Sequence, residues 1–197
     1  MAKSRAPVKK TKRLNKFVAL LRGINVGGNK RVPMAELCQL AKELGFRDVK
    51  SYLQSGNLVL RAPLEAAAVE SALEGAIREH FGFGVDVIVR SAREWESYAK
   101  QSPFADAESE RPHLLHLALS KQKPLPGAVA GLLPYAKAGE RMELLSRGLW
   151  VDFRAGVARS KLTPAVLDRL VGSSVTARNF RTVQKLAELL SELPDAE

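Results

Sequence analysis

A single cysteine, Cys38, is all that the 197 residues contain, so an internal disulfide and any cysteine-based metal cluster are excluded, as suits a reducing compartment. No stretch approaches the roughly 20 apolar residues of a membrane helix. The basic start is followed by one apolar run, residues 17–21, which Arg22 interrupts, so it is too short for the core of a secretory signal. These absences lead us to expect a cytoplasmic protein with no membrane contact. Aromatic residues make up only 6%, and the apolar runs at 17–21 and 58–60 lack the aromatic pattern with which β-sheets read RNA. Acids are missing from residues 1–16, which hold seven lysines and arginines, most of the formal charge of +10. This tail reads as disordered and solvating, with non-specific nucleic acid as its candidate partner through counterion release.

What is present is a normal apolar content of 46%, enough for one large domain or two small ones. The chain centres on residues 17–60. An apolar run of strand length meets a glycine-rich turn, Arg22-Gly23-Ile24-Asn25-Val26-Gly27-Gly28-Asn29-Lys30-Arg31, and Val32-Pro33 then opens a helix over 33–44. Proline suits the first helical position, and Gly45 stands where a left-handed cap belongs. Met34, Leu37, Cys38, Ala41 and Leu44 share one face, so Cys38 reads as a buried small hydrophobe. Strands at 49–54 and 57–60 flank a Ser-Gly turn, a helix follows over 65–81, and 85–89 is a fourth strand. The order β-α-β-β-α-β is the split unit of ferredoxin-like folds.

A connecting helix at 92–100 leads to a polar linker at 102–112, and the order then begins again. Its parts are a strand at 114–119, a helix at 126–133, a hairpin at 141–153 about Arg147-Gly148, a helix from Thr163-Pro164 to Gly172, a brief strand at Val175 and a final helix over 179–191. The expectation is an α+β fold of duplicated ferredoxin-like units: a tail at 1–16, subdomains at 17–101 and 113–197, and the linker between them.

The stretches LLRGINVGG and YLQSGNLVL resemble the bacterial family catalogued as domain of unknown function 1697. Ser102-Pro103-Phe104, Ser160-Lys161-Leu162 and Thr176-Ala177-Arg178-Asn179-Phe180-Arg181-Thr182-Val183 agree with it, so the resemblance spans roughly 17–190. It implies an α+β sandwich of ferredoxin-like units and carries over no activity.

Gly23 and Gly28 are spaced as in a P-loop, but Asn29-Lys30-Arg31 replaces the required Gly-Lys-Ser/Thr, and there is no G-x-G-x-x-G. Nucleotide hydrolysis and dinucleotide oxidoreduction are thereby excluded, leaving a generic anion cradle. The signature stretches are rich in donors and cations and hold no acid. The candidate ligand-binding residues are therefore Arg22, Gly23, Asn25, Gly27, Gly28, Lys30, Gln54, Ser55, Asn57, Ser160, Lys161, Thr176, Arg178 and Asn179. Each also has a purely structural use: Gln54 to Asn57 in a hairpin turn, and Thr176 or Asn179 as a helix cap.

Three functions stay open. The leading one is a binder of a small phosphate- or carboxylate-bearing ligand in a basic pocket between the subdomains, with no cofactor. The others are a nucleic-acid-binding protein using the tail, and a small transferase or hydrolase using Ser160 and Lys161. His113 and His116 face opposite sides of a strand, and no metal site is expected.

Overall fold

The alternation of apolar runs with amphipathic segments becomes two copies of one layered unit in the computed structural model, which describes residues 13–195. In the first, β1 (Asn15–Leu21), β2 (Arg47–Tyr52), β3 (Asn57–Ala62) and β4 (Val87–Ser91) form an antiparallel sheet in the order β2-β3-β1-β4. Helices α1 (Met34–Glu43) and α2 (Ala66–Phe81) cover one of its faces. After α3 (Ala92–Lys100) and α4 (Ala105–Glu110), the second copy repeats the pattern with β5 (Leu115–Ser120), α5 (Ala128–Leu132), β6 (Arg141–Leu145), β7 (Gly148–Asp152), α6 (Pro164–Val171) and β8 (Val175–Asn179), in the order β6-β7-β5-β8. Helix α7 (Phe180–Ser191) is the last described helix. The duplicated ferredoxin-like α+β fold is thus the observed one.

Period-two alternation along each strand decides what lies between the sheets. Val18, Leu20, Val59 and Ile88 of the first sheet and Leu115, Leu117, Leu119 and Trp150 of the second point into one shared core. Trp95 and Tyr98 of α3 and Phe180, Val183 and Leu186 of α7 fill it, and the Trp95 indole donates to Val183 O at 3.0 Å. Phe153, three residues after Trp150, lies in the separate core under α5 and α6. Cys38 is half-buried against the first core, not fully buried.

Two boundaries differ from the sequence reading because tertiary partners decide them. Residues 102–112, read as a linker, carry α4, and Asn15 and Lys16, read as tail, begin β1, where Lys16 Nζ donates to Asp195 Oδ1 at 2.8 Å. Residues 1–12, most of the basic tail, lie outside the described residues. No described helix is long and apolar enough to cross a membrane.

Candidate functional site

The signature stretches from the two halves meet at Arg178. It stands on β8, immediately before Asn179, whose side chain caps α7 by accepting from Thr182 N at 2.9 Å. Its guanidinium crosses to the first half, donating to Leu21 O at 2.9 Å, Ser55 O at 2.9 Å, Gly56 O at 3.3 Å and, in a short contact, Asn57 Oδ1. Thr176 Oγ1 and Ala177 O accept from it on its own strand. Asn57 is wholly buried and turns its amide to Tyr52 O at 2.7 Å and Ser55 Oγ at 3.1 Å. Among the described residues no carboxylate touches Arg178, and burial alone pushes its pKa down to about 10. Gly56 is required beneath it: φ is +79°, and a Cβ there would sit 2.7 Å from Leu21 Cβ and from Ile24 Cδ1.

Arg178 has a twin. Arg90 stands on β4 immediately before Ser91, the cap of α3, and donates to Ser120 O at the end of β5 (2.6 Å) as Arg178 donates to Leu21 O at the end of β1. Each also bonds the carbonyl just before it, Val89 O and Ala177 O, at 2.8 Å. The reciprocity extends to ion pairs. Arg22 after β1 donates to Asp168 of α6 at 2.6 Å, and Lys121 after β5 pairs with Glu74 of α2 in a short contact. Both carboxylates also accept the first N–H of the neighbouring edge strand, Val175 N and Val87 N, at 2.8 Å. Ser174 Oγ and Asp86 Oδ2, from matching positions, meet at 2.6 Å. The halves are therefore joined about a pseudo-twofold axis by paired cations.

This changes the role of the sequence candidates. Arg22 and Arg178 do converge, but Arg22 is held by Asp168, by Val175 O at 3.0 Å and by Asp86 at 3.7 Å, and the Arg178 donors bind protein acceptors. Between them lies a solvated ion pair and a buried clasp, where an open basic pocket was expected. Asp168 and Asp86 were missed because they fall outside the signature stretches. A readable signal did exist for Arg90, since Val87-x-x-Arg90-Ser91-x-Arg93 matches Val175-x-x-Arg178-Asn179-x-Arg181 in spacing.

The glycine-rich run folds on itself. Asn29 N donates to Val26 O at 3.2 Å and Asn25 N to Lys30 O at 3.1 Å, with Gly27 and Gly28 at φ 60° and 79°, the geometry of a tight hairpin turn. Asn25 ties its base to Gln54 O at 2.8 Å and Val32 O at 3.0 Å, and Lys30 Nζ reaches Gly84 O at 2.7 Å. Gly23 also takes a positive φ, 65°. The run is a solvent-facing knob with Val26 at its tip, 67% exposed, rather than amides wrapped about an anion at a helix start.

Ser160 and Lys161 lie elsewhere. The Ser160 hydroxyl makes a short bond to Glu140, just before β6, while Thr176 and Arg178 stand on β8 at the opposite edge of that sheet. Three strand spacings, about 14 Å, separate those edges. Ser160 Oγ also accepts from Leu162 N at 3.1 Å, and Lys161 is exposed. His116 is half-buried, with Nδ1 3.1 Å from Leu114 O, and burial lowers its pKa.

Two signature cations, Lys161 and Arg181, lack a protein partner among the described residues. Arg181, exposed on the first turn of α7, lines a groove of about 720 Å³ between α4 and α7, with Phe180, Pro112 and Ala105 as apolar wall and Ser109, Gln184 and Lys185 as polar rim. Two of the three rim charges besides Arg181 are paired: Lys185 bonds Glu188 at 2.7 Å. The third, Glu108, accepts from Ser102 N at 2.6 Å. The α4 wall is anchored by Arg111 and Arg141, each reaching both Asp106 and the wholly buried Asp152 at 2.6–2.9 Å. Arg141 also covers the Phe104 ring at 4.6 Å.

A family model described as "Protein of unknown function (DUF1697)" matches residues 14–150. The chain is similar in structure to the conserved bacterial protein SP0830 from Streptococcus pneumoniae, at 24% identity and a TM-score of 0.71, over 90% of this chain and 99% of that one. No curated protein matches.

Proposed function

The chain belongs to the DUF1697 family of proteins of unknown function, and we propose that it binds a small anionic molecule, carrying a phosphate or carboxylate on an apolar body, in the groove between α4 and α7. The observation that carries this reading is Arg181. It is the signature arginine whose guanidinium has no protein acceptor among the described residues, and it stands at a groove whose volume is within the range of small-ligand sites, about 300–1,000 Å³. The guanidinium fork matches an oxyanion, the adjacent start of α7 adds a favourable dipole, and Phe180 and Pro112 suit an apolar portion. Lys185 and Glu188 neutralise each other and Glu108 is turned to Ser102 N, so the four lining charges sum to zero and a bound anion would rely on the unpaired Arg181 fork rather than on net charge. Among the described residues no nucleophile with an adjacent base lines the groove, which favours binding over turnover.

Thermal unfolding of the full chain in the presence of a panel of aliphatic and aromatic carboxylates and monophosphates tests the reading. A true ligand at 100 times its Kd stabilises the folded state by about 2.7 kcal/mol. That gain is expected to vanish in Arg181→Ala, whose own melting point stays near that of the wild type because the side chain is exposed. A panel without any stabilising member, or stabilisation that survives Arg181→Ala, removes the proposal.

A further inference from the structure

A sheet edge is a row of unpaired amides that another chain can extend, and folds usually block it. Three of the four edges here are blocked. On β4, the Val87 and Val89 N–H groups go to Glu74 and Glu70 at 2.8 Å, and Arg90 covers Val89 O. On β8, Asp168 takes Val175 N, Arg22 takes Val175 O and Arg178 takes Ala177 O. On β2, the register shifts between Arg47 and Lys50 about Asp48, which has φ +53°, and Lys50 is tied to Glu192 at 2.8 Å.

The counterpart of β2 in the second half, β6, carries none of these devices. It pairs with β7 in unbroken register from Arg141↔Asp152 to Leu145↔Gly148. The two-residue turn at Ser146-Arg147 makes Leu145 and Gly148 a hydrogen-bonded pair, so by alternation Met142 and Leu144 direct their N–H and C=O outwards. Among the described residues nothing accepts from or donates to them. Their side chains lie on the α5 side of the sheet, where Leu144 (42% exposed) and Leu125 (51% exposed) line a groove of about 550 Å³ with Pro124, Pro126 and Val129. Lys123 is the one charged residue lining it among the described residues.

We propose that β6 is a docking edge for an extended segment of a partner protein, which adds as a further strand, seats alternate apolar side chains between Leu144 and Leu125, and presents a carboxylate to Lys123. The main-chain bonds supply affinity, and the groove with its single lysine supplies selectivity. This surface is at the sheet edge beside α5, separate from the α4–α7 groove.

The test is selection of a displayed random octapeptide library on the immobilised full chain, in parallel with Leu144→Pro. Proline removes an outward N–H without touching the β6–β7 bonds, a position at which edge strands tolerate it. Enriched peptides are expected to alternate apolar residues and carry Asp or Glu, and to be absent from the Leu144→Pro selection. Should that variant fold poorly, N-methylation of an enriched peptide at the amides facing β6 supplies the same test on the wild type, with a loss in affinity of about tenfold or more expected. No enrichment, equal enrichment on a folded Leu144→Pro, or indifference to N-methylation overturns the proposal. So does sedimentation of the chain as a dimer that Leu144→Pro splits, since the edge would then be filled by a second copy.

Discussion

Replacing Arg178 by alanine is expected to lower the free energy of unfolding by about 2–4 kcal/mol. Its removal relieves the burial of a cation but strips donors from Leu21 O, Ser55 O, Gly56 O and the buried Asn57 Oδ1 at once. Unpaired buried acceptors outweigh the relief, because each is worth about 1–3 kcal/mol when no water can replace its partner. Lysine should not rescue the loss, since one ammonium cannot span acceptors placed around a planar fork. Arg90→Ala should be milder: of its bonds, only the one to Ser120 O crosses between halves. Urea unfolding followed through the buried Trp95 and Trp150 reads both variants. An Arg178→Ala midpoint equal to the wild type, or a larger loss for Arg90→Ala, would show that the clasp is not what joins the halves.

Asp152→Asn is expected to cost about 1.5–3 kcal/mol at neutral pH, because a neutral amide replaces the wholly buried carboxylate on which the partly exposed Arg111 and Arg141 converge, leaving them Asp106 and Glu110 as acids. The Asp152 side chain has no exposure and receives Arg111 at 2.9 Å and Arg141 at 2.7 Å, with Arg154 at 3.5 Å. Burial by itself would raise this carboxyl, but hydrogen bonds from Arg111 and then Arg141 outweigh it and hold the pKa below the ordinary value. Asp106, bonded by Arg141 and Arg111, is lowered as well. A depressed carboxyl stabilises the fold at every pH above its unfolded value, about 3.9, and loses that contribution as pH falls through the folded value. The gap in stability between wild type and Asp152→Asn should therefore be full at pH 7 and narrow only on acidification below about pH 4. A gap that stays constant down to pH 3 would sink this account of the cluster.

Much of the fold was legible because it depends on local chemistry. The apolar run before Arg22, the Thr163-Pro164 start and Gly172 stop of α6 and the Asn179 cap of α7 each act within a few residues, and the structure has them where they were read; the β6–β7 turn, read at Arg147-Gly148, falls one residue earlier, at Ser146-Arg147. The helix α4 escaped the reading. Its sequence, ADAESE, is too short and too polar to show an apolar face, and it is held by Arg111 and Arg141 reaching Asp106.

The basic stretches were read as free charge because nothing nearby in sequence opposes them. Arg22 finds its acid 146 positions away, and the Arg178 acceptors Leu21 O and Ser55 O lie 157 and 123 positions away. By itself the sequence determined the order of elements, the duplication and the residues that cap and turn them, since propensity, capping and side-chain periodicity are properties of short windows. Only the tertiary structure decided that Arg22 and Arg178 clasp the halves, that Arg181 alone of the arginines in the signature stretch at 176–183 faces an open groove, and that β6 is the unblocked edge. Each of those depends on which donor meets which acceptor across the pseudo-twofold axis or along a sheet edge, and burial makes such pairings strong without leaving a mark on any single stretch of chain.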